Sequence, residues 1–125
     1  MINMIERGEK RERFPYPEVS ELNFDKLTDK NGVNVLGANV INAASEKLLG
    51  TVYVNPEAYE RMIEIGELVA WSRERAELWQ KGLTSGNRMY ISNRGIVKDC
   101  DSDTIGVYVN PIGPFCHTGN ESCFD

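Results

Sequence analysis

The sequence predicts an α+β domain, rich in short strands and carrying one main helix. Three observations lead there. Runs of β-branched and aliphatic residues recur between turn signals, the last of them alternating at Ile105, Val107 and Val109. One segment, Asn55 to Gly66, has a helix start, an apolar stripe and a helix stop in order. The end of the chain, from Pro111, is dense in glycine, proline and cysteine and reads as loop.

The elements follow from these signals. Asp29-Lys30-Asn31-Gly32 is a turn, and Val33 to Ile41 after it is rich in strand formers. A break at Ser45-Glu46-Lys47 precedes Leu48 to Val54, so a hairpin is expected across 33–54. Asn55 is a good N-cap, Pro56 suits the first helical position, and Glu57 lies at the positive end of the helix dipole. Ala58, Tyr59, Met62 and Ile63 repeat at helical spacing and are expected in the core, and Gly66 ends the helix. Leu68–Trp71, Met89–Ile91, Ile96–Cys100 and Thr104–Asn110 are further short strands, with a polar stretch running through Asn87. Residues 1–20 combine a charge run with Phe14-Pro15-Tyr16-Pro17 and are expected to form a weakly structured, extended arm. Whether that arm is a solvated tail or packs on a partner subunit stays open. The domain proper is expected over 21–125.

Composition narrows the function classes. At 125 residues the chain supports one domain with a modest core. A net charge of −5 argues against broad nucleic-acid binding, which needs a positive field. No apolar run approaches the ~20 residues of a membrane span. The charged start does not read as a secretory leader, so a cytoplasmic location is expected. Three cysteines, Cys100, Cys116 and Cys123, form an odd set clustered near the end. That is a poor disulfide framework and a better metal or redox cluster.

Three segments carry chemistry. In Asp99-Cys100-Asp101-Ser102-Asp103, an extended backbone would put three carboxylates on one face and Cys100 on the other. Such a strip suits a hard cation such as Mg²⁺, or is a solvated acidic turn. Cys116-His117-Thr118-Gly119 with Ser122-Cys123-Phe124, together with Cys100 upstream, can offer three sulfurs to zinc and leave a place for water, as catalytic zinc requires. His117, the chain's one histidine, then stands beside the metal as a proton carrier. Between Trp71 and Gly86, Arg73, Arg75 and Lys81 interleave with Ser72, Thr84 and Ser85. Guanidinium groups, an ammonium and hydroxyls of this kind can grip phosphate, and Trp71 or Trp79 can stack on a flat heterocycle. Exposed charges around two core tryptophans would look the same.

Taken together, Trp71-Ser72-Arg73-x-Arg75, Leu78-Trp79-x-Lys81-Gly82-x-Thr84-Ser85-Gly86, Asp99-Cys100-Asp101-x-Asp103 and Cys116-His117-Thr118-Gly119 with Ser122-Cys123-Phe124 resemble the phosphoribosyl-AMP cyclohydrolase family of histidine biosynthesis. The likeness extends over roughly residues 33–124. It implies an intertwined homodimer with sites at the subunit interface, in which Cys100 of one subunit shares zinc with Cys116 and Cys123 of the other. It also implies Mg²⁺ on Asp99, Asp101 and Asp103, and a phosphoribosyl nucleotide whose phosphates are held by Arg73, Arg75, Lys81, Thr84 and Ser85 beside Trp71 and Ser72. The reaction implied is hydrolysis of the N1–C6 bond of the adenine ring of 1-(5-phosphoribosyl)-AMP, with His117 moving protons.

Three positions depart from the family's pattern, one of them Val54, in Tyr53-Val54-Asn55 where the family tends to have Tyr-Met-Asn. Where the family has Gly-Glu-Thr-Ser-Gly-His, this chain has Leu83 for the glutamate and Asn87 for the histidine. Leucine neither accepts a proton nor pairs with a cation, and asparagine is no general base. The departures keep two other readings in view: a diverged paralogue acting on a different purine or related N-heterocycle, and a non-catalytic, zinc-stabilised dimer that binds a nucleotide.

Overall fold

The computed structural model describes residues 14–125. After a short 3₁₀ turn at Val19–Glu21, the chain forms a hairpin of β1 (Leu36–Asn42) and β2 (Leu48–Val54). The sequence expects this hairpin, with strand one beginning three residues earlier than it does. Glu46, at φ +67°, turns the connection, and Asn42 Oδ1 accepts from the N–H groups of Ala44 and Ser45. Along β1 every second residue is inward, so Leu36, Ala38 and Val40 are buried.

Helix α1 (Pro56–Ile65) forms as its sequence signals expect. Asn55 Oδ1 accepts from Ala58 N at 2.8 Å, so one of the unpaired first-turn donors is satisfied. Gly66 closes the helix in the left-handed region at φ +76°, its N–H bonded to Met62 O, a conformation glycine adopts without steric cost. The stripe Ala58, Tyr59, Met62 and Ile63 is buried, and α1 packs on β2 and on the next strand, β3 (Val69–Ser72).

β3 turns back into β4 (Glu77–Gln80) in a separate two-stranded sheet, with Trp71 opposite Leu78 and Ala70 opposite Trp79. Sequence reading leaves β4 within a polar stretch. The strand is four residues long with no fully buried position, so its pattern is faint, and it exists because the β3 partner supplies the ladder. β5 (Met89–Lys98) is one strand rather than two: its pairing shifts between Ile91 and Ile96, and Gly95 lies within that irregular stretch. β6 (Thr104–Pro111) alternates as expected, with Ile105, Val107 and Val109 buried.

The main sheet runs β2-β1-β6-β5, antiparallel at both sides and parallel where β1 meets β6. The α+β, strand-rich expectation with one helix therefore holds. Among the described residues no helix is long and apolar enough to cross a membrane.

Of the expected arm, residues 1–13 lie outside the described residues. From Phe14 onward the extended chain packs on its own core. Phe14 is 2% exposed, Pro15 O accepts from Ile96 N, and Pro17 O accepts from the Tyr59 hydroxyl at 2.6 Å. The prolines do favour extended backbone, but Phe14 before them is buried and Tyr16 between them is half-buried.

Candidate active site

The residues singled out for ligand binding come together around the β3–β4 hairpin. Two adjoining clefts flank it and share Arg75 and Trp79 in their walls. One, of about 440 Å³, is lined by Tyr53, Trp71, Ser72 and Arg73. The other, of about 490 Å³, is lined by Lys81, Leu83, Thr84, Ser85, Asn87, Cys116 and His117. Both volumes fall in the range of small-molecule sites.

Arg73 and Arg75 ride the hairpin turn, where Ala76 N bonds Ser72 O and Ser72 Oγ accepts from Arg75 N. The Arg73 guanidinium lies 3.9 Å from the centre of the Tyr53 ring, a cation–π contact between two residues of the cleft wall. Trp71 is held from behind, its indole N–H donating to Asp29 Oδ2 at 2.9 Å. Lys81 sits 4.7 Å from the Phe115 ring and 5.4 Å from Trp79. Burial pushes its ammonium below the usual lysine range, while the thiols of Cys123 and Cys116 pull the other way.

The thiol loop is built on the edge of the sheet. Gly50 in β2 has no side chain because the Phe115 ring occupies that space, 2.5 Å from where a Cβ would stand. Cys123 N bonds Leu49 O at 2.8 Å, the buried Ser122 hydroxyl bonds Leu48 O at 2.8 Å, and Lys47 pairs with Asp125 and Glu121 at 2.8 and 3.2 Å. The Cys116 and Cys123 thiols are close enough to shift one another's titration. Thr118 Oγ1 donates to Cys116 Sγ at 3.2 Å. That hydroxyl is the largest influence holding the Cys116 thiol below its ordinary range, with the Thr118 N–H, the Cys123 thiol and Lys81 adding to it. Burial moves Cys123 the opposite way. His117 is exposed beside them.

Cys100 does not join this pair within one chain. It lies in the turn before β6, whereas Cys116 follows the end of that strand, and eight strand residues separate the two ends by roughly 25 Å. The turn itself corrects the expected extended strip. Ser102 is at φ +64°, and Asp99 Oδ1 accepts from the N–H groups of Asp103 and Thr104. Folding back gathers what an extended strand would have spread along its length: a carboxylate oxygen from each of Asp99, Asp101 and Asp103 lies within 4.8 Å of the others.

Sequence reading misses several partners here. Lys26 Nζ is 3.1 Å from Asp101 Oδ2 and 3.1 Å from Asp103 Oδ2. These bonds raise the lysine and lower Asp101. Asp29, Tyr53 and Phe115 are likewise absent from the local motifs. Lys26 and Asp101 are 75 positions apart, and no spacing rule reaches that far.

The likeness to known proteins follows the same stretch of chain. A family model described as phosphoribosyl-AMP cyclohydrolase matches residues 51–125, which hold the hairpin, the aspartate turn and the thiol loop. The chain belongs to the phosphoribosyl-AMP cyclohydrolase family. It is 41% identical to the phosphoribosyl-AMP cyclohydrolase of Clostridium botulinum (strain ATCC 19397 / Type A) over 99 residues, 79% of this chain and 88% of that one. With the phosphoribosyl-AMP cyclohydrolase of Lactiplantibacillus plantarum it shares 42% identity over 95 residues, 76% of this chain and 86% of that one. It is also 48% identical over 85 residues to the histidine biosynthesis bifunctional protein HisIE of Shigella sonnei, spanning 68% of this chain and 41% of that longer protein. The enzyme expectation therefore stands, as a hydrolase of the cyclohydrolase type.

Proposed function

We propose that this cyclohydrolase hydrolyses the N1–C6 bond of 1-(5-phosphoribosyl)-AMP in histidine biosynthesis, as a zinc- and magnesium-dependent homodimer of the cytoplasm. The observation that carries the reading is the division of the site. The larger cleft, His117 and two thiols stand at one end of β6, and Cys100 with the three aspartates stands at the other. Each chain then holds two incomplete halves, and a second copy placing its aspartate turn against the thiol loop would complete both.

The donor sets fit the two metals. Cys116, Cys123 and a second copy's Cys100 make three sulfurs, the number a catalytic zinc takes with one place left for water. Asp99, Asp101 and Asp103 are oxygen donors already gathered, as magnesium prefers. When bound, zinc would make water a competent nucleophile near neutral pH.

The chain's own residues supply the rest. Arg73 and Arg75 on the hairpin and Lys81, Thr84 and Ser85 across from them orient the two phosphates at the ends of the nucleotide. Trp71, held by Asp29, and Ser72 shape the wall between. His117 accepts a proton of the attacking water and delivers it to N1: the O–C6 bond forms, the C6–N1 bond breaks, and the second proton passes from oxygen to the exocyclic N6 as C6 becomes the carboxamide carbonyl.

A second reading, a paralogue for a different purine or related N-heterocycle, draws on Leu83, which is 59% exposed at the lip of the larger cleft. It draws also on Asn87, packed against Gly113 in the wall. The deciding assay follows absorbance with phosphoribosyl-AMP and protein loaded with zinc and magnesium. Turnover lost in His117→Ala supports the first reading. A folded, loaded wild-type protein without turnover moves the assignment to the second.

A further inference from the structure

We propose that Glu67 is a positioning residue whose carboxylate clips together the two stems of the loop carrying Lys81, Thr84 and Ser85. The inference rests on the substrate reading above, which gives that loop its task. Glu67 is one of four buried polar or charged side chains among the described residues, 7% exposed, and it lies outside every motif that marks the site. Its Oε1 accepts from Gln80 Nε2 at 3.3 Å and its Oε2 from Arg88 Nη1 at 3.2 Å. Gln80 ends β4, and Arg88 immediately precedes β5. One carboxylate therefore ties the residue just before the loop to the residue just after it.

The backbone beside Glu67 repeats the pattern. Leu68 O accepts from Lys81 N at 3.1 Å, and Leu68 N donates to Met89 O at 2.9 Å. The loop tip has no comparable anchor, since Leu83, Thr84, Ser85 and Gly86 are all exposed. Within it Gly86 N bonds Gly82 O and Asn87 N bonds Ser85 Oγ, contacts that shape the loop without fixing it to the body. Its placement over the cleft is thus set at the stems, and a buried carboxylate accepting two side-chain hydrogen bonds, one charge-assisted, is a stiff fastening. Opening it leaves a loop that must be ordered when the nucleotide arrives, which weakens binding more than it slows the chemical step.

Two variants test this separately. Glu67→Gln removes the charge opposite Arg88 and leaves one acceptor oxygen where two are used, and Arg88→Met removes the donor while leaving Glu67 in place, so the second serves if the first fails to fold. Each is expected to raise KM for phosphoribosyl-AMP about tenfold with kcat changed by less than about twofold. The double variant is expected to lose no more than either alone. Hydrogen exchange should speed about tenfold at the amides of 83–87 while α1 and β1 keep their protection. Folded variants with KM and loop exchange both unchanged, or with a lower melting temperature alone, would overturn the clip. If the wild-type protein does not turn over this nucleotide, the substrate reading fails, and the exchange measurement still decides whether Glu67 holds the loop.

Discussion

The Trp71 indole nitrogen lies 2.9 Å from Asp29 Oδ2, which joins the turn before β1 to a wall of the smaller cleft. Asp29 also accepts from the N–H groups of Asn31 and Val33. The Val33 bond is the largest of the influences that hold its carboxyl below the ordinary range, and the Trp71 bond adds to it. A depressed carboxyl contributes stability that is present above its unfolded value, about 3.9, and is lost as pH falls through the lower folded value. Asp29→Ala should therefore lower the melting temperature at pH 7, and the gap to wild type should narrow once the pH drops below that range. Equal gaps at pH 7 and pH 2.5 would mean that the charge of Asp29 plays no part.

At the aspartate turn Lys26 occupies the place of a counter-ion, bridging Asp101 and Asp103. A divalent cation approaching the three carboxylates meets that ammonium as a competitor. Lys26→Met should tighten Mn²⁺, used as a probe for Mg²⁺, by about fivefold. The change is read by paramagnetic resonance titration without reference to turnover. Affinity that stays level or falls would show that the lysine does not compete.

The separation of Cys100 from the other thiols makes a prediction about mixed dimers. Cys100→Ser and Cys116→Ser should each be inactive and poor in zinc. Unfolded, mixed and refolded together, they should regain about a quarter of wild-type activity, because half the dimers are mixed and each of these has one intact site. Recovery of nothing from a mixture shown to exchange subunits would speak against a shared site.

Ser122 is completely buried, its hydroxyl donating to Leu48 O and accepting from Phe124 N at 2.9 Å. Ser122→Ala removes both bonds, at a cost of about 1–3 kcal/mol. Thermal melts should fall accordingly. Chelator competition should show looser zinc, since Cys123 is the next residue. An unchanged melt would mean that the Cys123–Leu49 backbone bond, the Lys47 ion pairs and the Phe115 packing hold the loop without it.

Much of the site was legible because its chemistry is written in local motifs. Cys116, His117 and Cys123 stand close in the chain and meet in one loop, and Arg73, Arg75, Lys81, Thr84 and Ser85 line clefts on either side of one hairpin. The aspartates were recognised as a group, yet the reason differed: a turn at Ser102 brings them together, not one face of a strand. Glu67 and Lys26 carry no signal, and Asp29 signals only its local turn, because a charged residue in a sequence looks the same whether it faces water or a partner tens of positions away.

By itself the sequence determined the elements whose causes are local: the α1 helix between Asn55 and Gly66, the β1–β2 hairpin, the alternating β6, and the kinds of donor available for metal and phosphate. Caps, turns and periodicity act within a few residues, so they can be read along the chain. The tertiary structure alone decided that β6 lies parallel to β1, that β4 forms at all, that Phe14 packs inward, and that Cys100 stands a strand's length from the other thiols. Those outcomes depend on which surfaces are buried against which, a property of the folded whole that no short window of sequence contains.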